Sequence, residues 1–373
     1  MASLPVVAHC ADPFLPSTTV WMFDQIRTLQ RYRSIVLTQT RQNEDQFPFE
    51  PVFSAEDLPF HKQIINRMAH KVCGTYRGYG QWLIENEAQL IHAHFGQEGC
   101  RCLAAKKKAR IPMVTTFYGM DVSVLPRLRK WRKRFQRLFF EGELFLAEGP
   151  FMGERLITLG CPANRVVVQH LGVDLTQIGF EAEHTNERPV VLTYAVFREK
   201  KGVIYAIRAF AKVVSRYPQA ELRMIGDGPL RSVLEAEVDK LGIGERVIML
   251  GLLPHEKALE ELKRAAVLIY PSVTASDGDT EGGAPVALIE AMAMGVPVVA
   301  SHHADIPEVV PNEKCGFLFP ERDVDGLAEG LDALLESTEK RKEMGRAGRL
   351  HVEAQHDLQK QAAKLEAVYD RVV

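Results

Sequence analysis

At 373 residues the chain exceeds what one ordinary hydrophobic core organises and suits two domains of roughly 150–200 residues each. Its composition, 46% hydrophobic and 25% charged with a net charge of -2, excludes a disordered or fibrous protein. The charge is uneven: residues 1–180 carry 22 Lys+Arg against 16 Asp+Glu and the remainder is acidic, which fits a basic first part facing an anionic surface or acceptor.

The six cysteines are scattered without a C-x-x-C pair, which excludes zinc-ribbon spacing and suits a reducing compartment. The first residues lack a signal-peptide pattern, and no run of about 18 apolar residues exists. The expected location is therefore cytoplasmic, at most peripheral at the inner face of a membrane.

Short apolar runs alternate with longer helical patterns along the chain, the mark of a parallel α/β architecture. Strands are predicted at Pro5–Cys10, Ser34–Thr38, Leu90–Phe95, Met113–Phe117, Leu144–Ala147 and Val166–His170. A second series follows at Val190–Ala195, Glu221–Ile225, Val247–Leu250, Val267–Tyr270, Val298–Ser301 and Gly316–Phe319. Near-continuous Val/Ile/Leu runs indicate strands covered on both faces. Between the series, Ile178–Pro189 is polar and acidic without an apolar period and reads as a linker. The expected organisation is a first doubly wound domain over 1–180, a second over 188–353, and a helix over 354–373 that crosses back to the first. Ligands of such sheets bind beyond the carboxyl ends of the strands, so two facing sheets place theirs in a cleft.

The most informative segment runs from Asp277 to Ala300. Pro285 suits a first helical position and Gly295 a C-terminal cap. Gly282 and Gly283 let the backbone approach a ligand just before the helix, whose free amides and dipole attract anions. Glu281 and Glu290 can accept hydrogen bonds from sugar or ribose hydroxyls. A glycine-rich loop with a solvated glutamate on each side reads the same at this level.

This segment resembles the E-x7-E signature of retaining GT-B glycosyltransferases of family 4, the exopolysaccharide and lipopolysaccharide type of group 1. The resemblance extends to Ala265–Ser272, to Ile225-Gly-Asp-Gly-Pro229, to Ile306-Pro-Glu308 and to Cys315–Pro320. It implies two Rossmann-like domains and metal-independent transfer from a nucleotide-diphosphate sugar, with no cofactor. By resemblance Glu281 touches the transferred sugar, Glu290 the ribose, and Lys201 clamps the diphosphate. The implied donor contacts also include Arg198, Gly226, Asp227, Gly282, Gly283, Ala284, Pro285 and Val286. Two departures stand out. The spacing here is E-x8-E, which makes Asp279 a substitute for Glu281, and Ala195-Val196 replaces the family's Gly-Arg, leaving Arg198 to reach in.

In the first domain, Ile91–Gly96 and Thr115–Asp121 resemble the family's cleft-lining loops, and Phe14–Thr19 its first loop. His94 is the implied catalytic histidine, and Tyr118, Asp121 and Ser17 are the implied acceptor-side residues; Tyr118 stands where many relatives have histidine. His92 and His94 share one face of a strand. They are either a metal pair lacking a third ligand or packed, cleft-lining histidines.

Asp277-Gly-Asp279 matches a metal-binding D-x-D, but it follows a complete second α/β series, which argues against that role. Gly226-Asp-Gly228 is only part of a dinucleotide fingerprint. Leu125–Phe140 carries a helical apolar stripe and seven positive charges. It fits either contact with an anionic membrane or a core-facing helix with a wet basic side, and no nucleic-acid motif accompanies it. The leading expectation is sugar transfer to a carbohydrate or lipid-linked acceptor. The alternatives are a catalytically weak sugar-nucleotide-binding protein and a nucleotide-sugar epimerase.

Overall fold

A computed structural model of the chain describes residues 4–16, 20–181, 188–283 and 285–373. It divides into two compact units, one of residues 1–172 with 358–373, the other of residues 173–357.

The first unit holds seven parallel strands: β1 (Val6–Cys10), β2 (Arg33–Thr38), β3 (Val52–Ser54), β4 (Ala88–His94), β5 (Met113–Thr116), β6 (Leu144–Ala147) and β7 (Val166–Val168), in the order β3-β2-β1-β4-β5-β6-β7. Sequence reading missed β3, because three residues after Pro51 are too short to show a period. Strand alternation sends Val6, Ala8 and Cys10 to one face, against Leu103, Phe135 and Phe139 from the covering helices. It sends Val7, Leu90 and Val114 to the other face, against Leu365, Val368 and Tyr369 of the Leu358–Tyr369 helix. That helix is also tied by Glu366, whose carboxylate accepts the amides of Gln30 and Arg31, each at 2.6 Å.

The second unit holds β8 (Val190–Tyr194), β9 (Glu221–Ile225), β10 (Val247–Gly251), β11 (Val267–Tyr270), β12 (Val298–Ser301) and β13 (Gly316–Phe319), ordered β10-β9-β8-β11-β12-β13 and parallel throughout. The chain order reverses between β1 and β4 in one sheet and between β8 and β11 in the other. Those are the switch points where α/β sheets open a crevice.

The chain enters the second unit at Val173, seven residues before the predicted end of the first domain at 180. The predicted linker does not separate the units: Ile178 is buried in the second unit and the Glu181 amide donates to Met294 O at 3.1 Å, while residues 182–187 lie outside the described residues. The predicted last helix is two elements. Thr338–Gln355 ends in the second unit, and Leu358–Tyr369 begins afresh in the first.

Candidate functional site

In the second unit the site grows from the loops after β8 and β11. Gly202 sits at φ +61°, and a Cβ there would lie 1.8 Å from Pro271 O, so the two loops touch backbone to backbone and only glycine fits. The contact sets Lys201, in the short turn Glu199–Lys201, against the far loop. Its Nζ lies 2.8 Å from Glu281 Oε2 and 2.9 Å from the Tyr270 hydroxyl. Ser272 Oγ donates to the other Glu281 oxygen at 2.8 Å. Burial opposes charge on both partners. Even so, Glu281 and Tyr270 hold Lys201 above the ordinary lysine value, and Lys201 and Lys200 hold Glu281 below the ordinary carboxylate value. The pair is thus fully ionised near neutrality.

A second layer fixes this pair. The Glu281 amide donates to His303 Nε2 at 3.1 Å, and His303 Nδ1 lies 2.6 Å from Glu321 Oε1. Lys200 pairs with Asp279 at 3.0 Å and donates to Thr280 O at 3.1 Å, so Asp279 is spent on that lysine. Sequence reading missed Tyr270, Ser272, His303 and Glu321. Each lies at or within two residues of the carboxyl end of a strand, the one signal that could have marked them.

The Val286–Ala293 helix starts after Pro285, one residue later than predicted, and among the described residues no side chain caps its first amides. Leu288 N donates to Pro285 O at 3.0 Å, which leaves the amides of Val286 and Ala287 for an anion. Glu290, in the second turn and 4% exposed, accepts a hydrogen bond from His255 Nε2 at 2.6 Å. Burial and Glu290 raise the Tyr194 hydroxyl above its ordinary value. Gly282 and Gly283 are buried before the helix, and Ala284 lies outside the described residues. Arg198 is exposed at the edge of the β8 loop. The glycines of the Ile225–Pro229 turn have a packing reason. A Cβ on Gly226 would lie 1.9 Å from Ala195 O, and the Phe197 amide donates to Asp227 O at 2.9 Å. The Asp227 carboxylate accepts the Gly228 amide at 2.7 Å and pairs with Arg231 at 3.2 Å.

In the first unit the strand register sets His9 of β1 directly beside His92 of β4, with His94 two residues on, and all three are buried. This corrects the expectation that His92 and His94 have no third partner: His9 comes from 83 residues away in sequence, and pairing of β1 with β4 is a tertiary event. Ligand atoms of the three rings lie within 4.8 Å of one another. Their nitrogens are, however, already engaged. His92 Nδ1 lies 2.6 Å from the Tyr369 hydroxyl and Nε2 2.7 Å from Thr116 Oγ1. His94 Nε2 lies 3.0 Å from His9 Nδ1, and His94 Nδ1 2.7 Å from the Tyr118 hydroxyl. Burial pushes His92 down to about 3, and burial with the neighbouring rings holds His9 and His94 well below the histidine range. The cluster is a neutral hydrogen-bonded relay. Ser34 Oγ donates to Ile26 O and lies 3.4 Å from His9 Nε2. With the His9 proton on Nε2, His94 would donate to His9 and accept from Tyr118.

His94 is fully buried, and the half-buried Tyr118 packs against Trp21 and Phe95 at 4.5 and 4.7 Å between ring centroids. Asp121 is buried and accepts the amides of Gly96 at 2.8 Å, Tyr118 at 3.1 Å and Gly119 at 2.8 Å, so it shapes the loop under Tyr118. Ser17 lies outside the described residues. The predicted basic stripe is the helix Arg129–Glu141, with Phe135, Leu138 and Phe139 buried, its cations outward and Phe140 exposed.

Two doubly wound units with sites at their switch points define a GT-B architecture. HepE of Anabaena, solved in complex with UDP, matches it with a TM-score of 0.78 over 99% of this chain and 100% of its own, at 19% identity. Two family profiles fit the sequence: Glycosyltransferase Family 4 over residues 27–177 and Glycosyl transferases group 1 over residues 176–351. WcaL of Escherichia coli, named for colanic acid biosynthesis, is 34% identical over 68% of this chain and 63% of its own length. AmsK of Erwinia amylovora, named an amylovoran biosynthesis glycosyltransferase, is 34% identical over 65% of this chain and 60% of its own. The chain thus spans a little under two thirds of these curated relatives. It belongs to the group 1, family 4 glycosyltransferases. Among the described residues no helix is long and apolar enough to cross a membrane.

Proposed function

We propose that the protein transfers a sugar from a nucleotide-diphosphate sugar to an acceptor hydroxyl in bacterial exopolysaccharide or glycolipid synthesis, with retention at the anomeric carbon and without a metal. The observation that carries this reading is the ionised Lys201–Glu281 pair beside the uncapped Val286–Ala293 helix, with Glu290 inside that helix. The donor diphosphate meets the helix amides and Lys201, and Arg198 swings in from solvent. The positive charge stabilises the leaving nucleotide as its negative charge grows. Glu290 receives the ribose and Glu281 the sugar. The names of WcaL and AmsK, and the UDP bound to HepE, favour this class of donor and pathway. The acceptor side is assigned to the first unit, around Tyr118. We place the protein in the cytoplasm, with the cationic face of Arg129–Glu141 against anionic lipid.

Incubation with UDP-, GDP- and ADP-sugars tests the reading. Nucleotide release that persists in chelator, with an α-linked product from an α-linked donor, is the expected result. Glu290→Ala is expected to weaken nucleotide binding at least about tenfold, as one lost charge-assisted hydrogen bond would; unchanged affinity would remove Glu290 from the site. A second reading, a nucleotide-sugar-binding protein with little turnover, is favoured by Val196 in the arginine position and by the engagement of Lys201 with Glu281. Binding without turnover of any donor would select it.

A further inference from the structure

Glu290 is a carboxylate in an apolar setting. Leu288, Ile289, Ala291, Met292 and Ala293 of the same helix are all buried with it. A polar group in such surroundings needs hydrogen-bond partners. Among the described residues the Glu290 carboxylate has one, His255, whose Nε2 lies 2.6 Å from Oε1. Glu281, similarly buried, has both oxygens engaged, one by Lys201 and the other by Ser272. Glu290 instead has one oxygen held and the other open. Burial and the nearby Glu290 raise the Tyr194 hydroxyl above its ordinary value, which sets the carboxylate beside the carboxyl end of β8, at the switch point of the second sheet.

His255 reaches that place from β10. The strand ends at Gly251, whose carbonyl accepts the Gly226 amide at 2.8 Å, so its end is tied to the turn after β9. Pro254, at φ −54° and ψ 148°, then turns the chain into the His255–Arg264 helix, with His255 at the first position. The start of a helix favours carboxylates and small polar caps, because its amides carry partial positive charge. A histidine has no such local use there. Ala258 and Leu262 bury the inner face of the helix, while the His255 side chain stays 36% exposed and spans to a neighbouring helix. Nε2 carries a proton in the Nε2–H tautomer and in the imidazolium alike, so the ring donates in both forms.

We propose that His255 is a positioning residue for the donor: it holds Glu290 in the orientation that offers the open oxygen to a ribose hydroxyl. The inference rests on the transferase reading, in which Glu290 receives the ribose, and adds what makes that contact effective. An unsupported glutamate samples several rotamers, and a hydroxyl that binds it must first freeze them. With Oε1 fixed from a separate helix, that ordering is complete once the unit has folded, and the hydroxyl meets an acceptor already in place. A purely structural tie between the two helices leaves the open oxygen without a reason. The buried tie between β9 and the His255–Arg264 helix engages both oxygens: Arg223 donates to Glu261 Oε2 at 2.6 Å and to Oε1 at 3.0 Å.

The test measures binding of UDP and GDP, and of their 2′,3′-dideoxy counterparts, to the full chain by calorimetry. Wild type is expected to prefer the ribose form of at least one nucleotide by about tenfold or more, and Glu290→Ala to lose that preference. His255→Ala is expected to weaken the ribose form about tenfold and to leave the dideoxy form unchanged. His255→Gln, which keeps an N–H donor, should recover most of the loss, and His255→Leu, which keeps bulk without a donor, none of it. Should His255→Ala not fold, the glutamine and leucine variants make the same comparison. The double variant with Glu290→Ala should bind no more weakly than Glu290→Ala alone. Unchanged affinity in His255→Ala, an equal loss for ribose and dideoxy forms, or recovery with leucine rather than glutamine overturns the proposal. A loss in Glu290→Ala without one in His255→Ala sinks this inference alone. Failure of wild type to bind either nucleotide, or of Glu290→Ala to weaken it, removes the donor reading and this inference with it.

Discussion

The Lys201–Glu281 pair shows how one contact serves two ends. Unpaired, either charge would be costly so far from water; paired, both stay ionised and hold the loops together. Removing one partner by Lys201→Met is expected to cost about 3 kcal/mol in urea unfolding, the low end for nearly buried pairs, and the double variant with Glu281→Gln less than the sum. The pH dependence follows from the signs. Glu281 is depressed, so its contribution is present above the ordinary carboxylate pKa and fades as pH falls through its lower folded value. Lys201 is raised, so its contribution is full below the ordinary lysine pKa and fades only as pH rises through its higher folded value. The stability difference between wild type and the double variant is therefore expected to be flat across the neutral range. The histidine relay behaves differently. All three folded pKa values lie below that of an unfolded histidine, about 6.5, so their stabilisation is complete above that pH and declines below it. Each imidazole adds a slope of about 1.4 kcal/mol per pH unit. Urea midpoints measured from pH 7.5 to 5 should fall, and His9→Gln should reduce the proton uptake by about one. A flat profile would mean that the rings are not neutral and buried.

At the scale of elements, the second site is held by loops pressed together at glycines. Gly202 and Gly226 have positive φ, and each would place a Cβ within 2 Å of a carbonyl oxygen. Gly202→Ala is expected to cost more than about 2 kcal/mol and to lower nucleotide affinity, because relief of the overlap moves Lys201 away from Glu281. A Gly242→Ala control, at φ +66° with open space around it, should cost only the backbone strain, about 1–2 kcal/mol, and leave nucleotide binding intact. Thermal unfolding and calorimetry on the two variants separate strain from site geometry. The elements themselves were readable. Twelve strands were placed within a few residues from apolar runs, since strands covered on both faces leave little ambiguity. β3 escaped because its three residues carry no pattern.

For the whole molecule, the chain leaves the first unit at Val173 and returns at Leu358, and the Val173 amide bonds His356 O at 2.9 Å beside the point of return. The first unit is therefore discontinuous. Its last helix supplies Leu365 and Tyr369, each fully buried, and the hydroxyl that engages His92. Truncation after Asp357 should strip one face of the first sheet and leave that unit unfolded or aggregating. A segment of 173–357 should fold and bind nucleotide by itself. Circular dichroism and nucleotide titration of the two fragments check this; a stable 1–172 fragment would show that the helix is dispensable.

The sequence alone determined the parallel α/β architecture, the two strand series and the Glu281–Glu290 segment, because strand periodicity, glycine and proline positions and a local motif are all encoded within a few neighbours. It did not determine where the units divide, since Ile178 and Glu181 owe their place to packing on the second unit rather than to composition. Nor did it reveal His9, His303 and Glu321, whose partners are distant in the chain and meet only through strand register. The Phe60–Cys73 helix was decided by tertiary structure too: its polar spacing was present in the sequence, but only the fold shows that Gln63, Asn66, Arg67 and His70 line a cavity while Phe60, Ile64 and Met68 face outward.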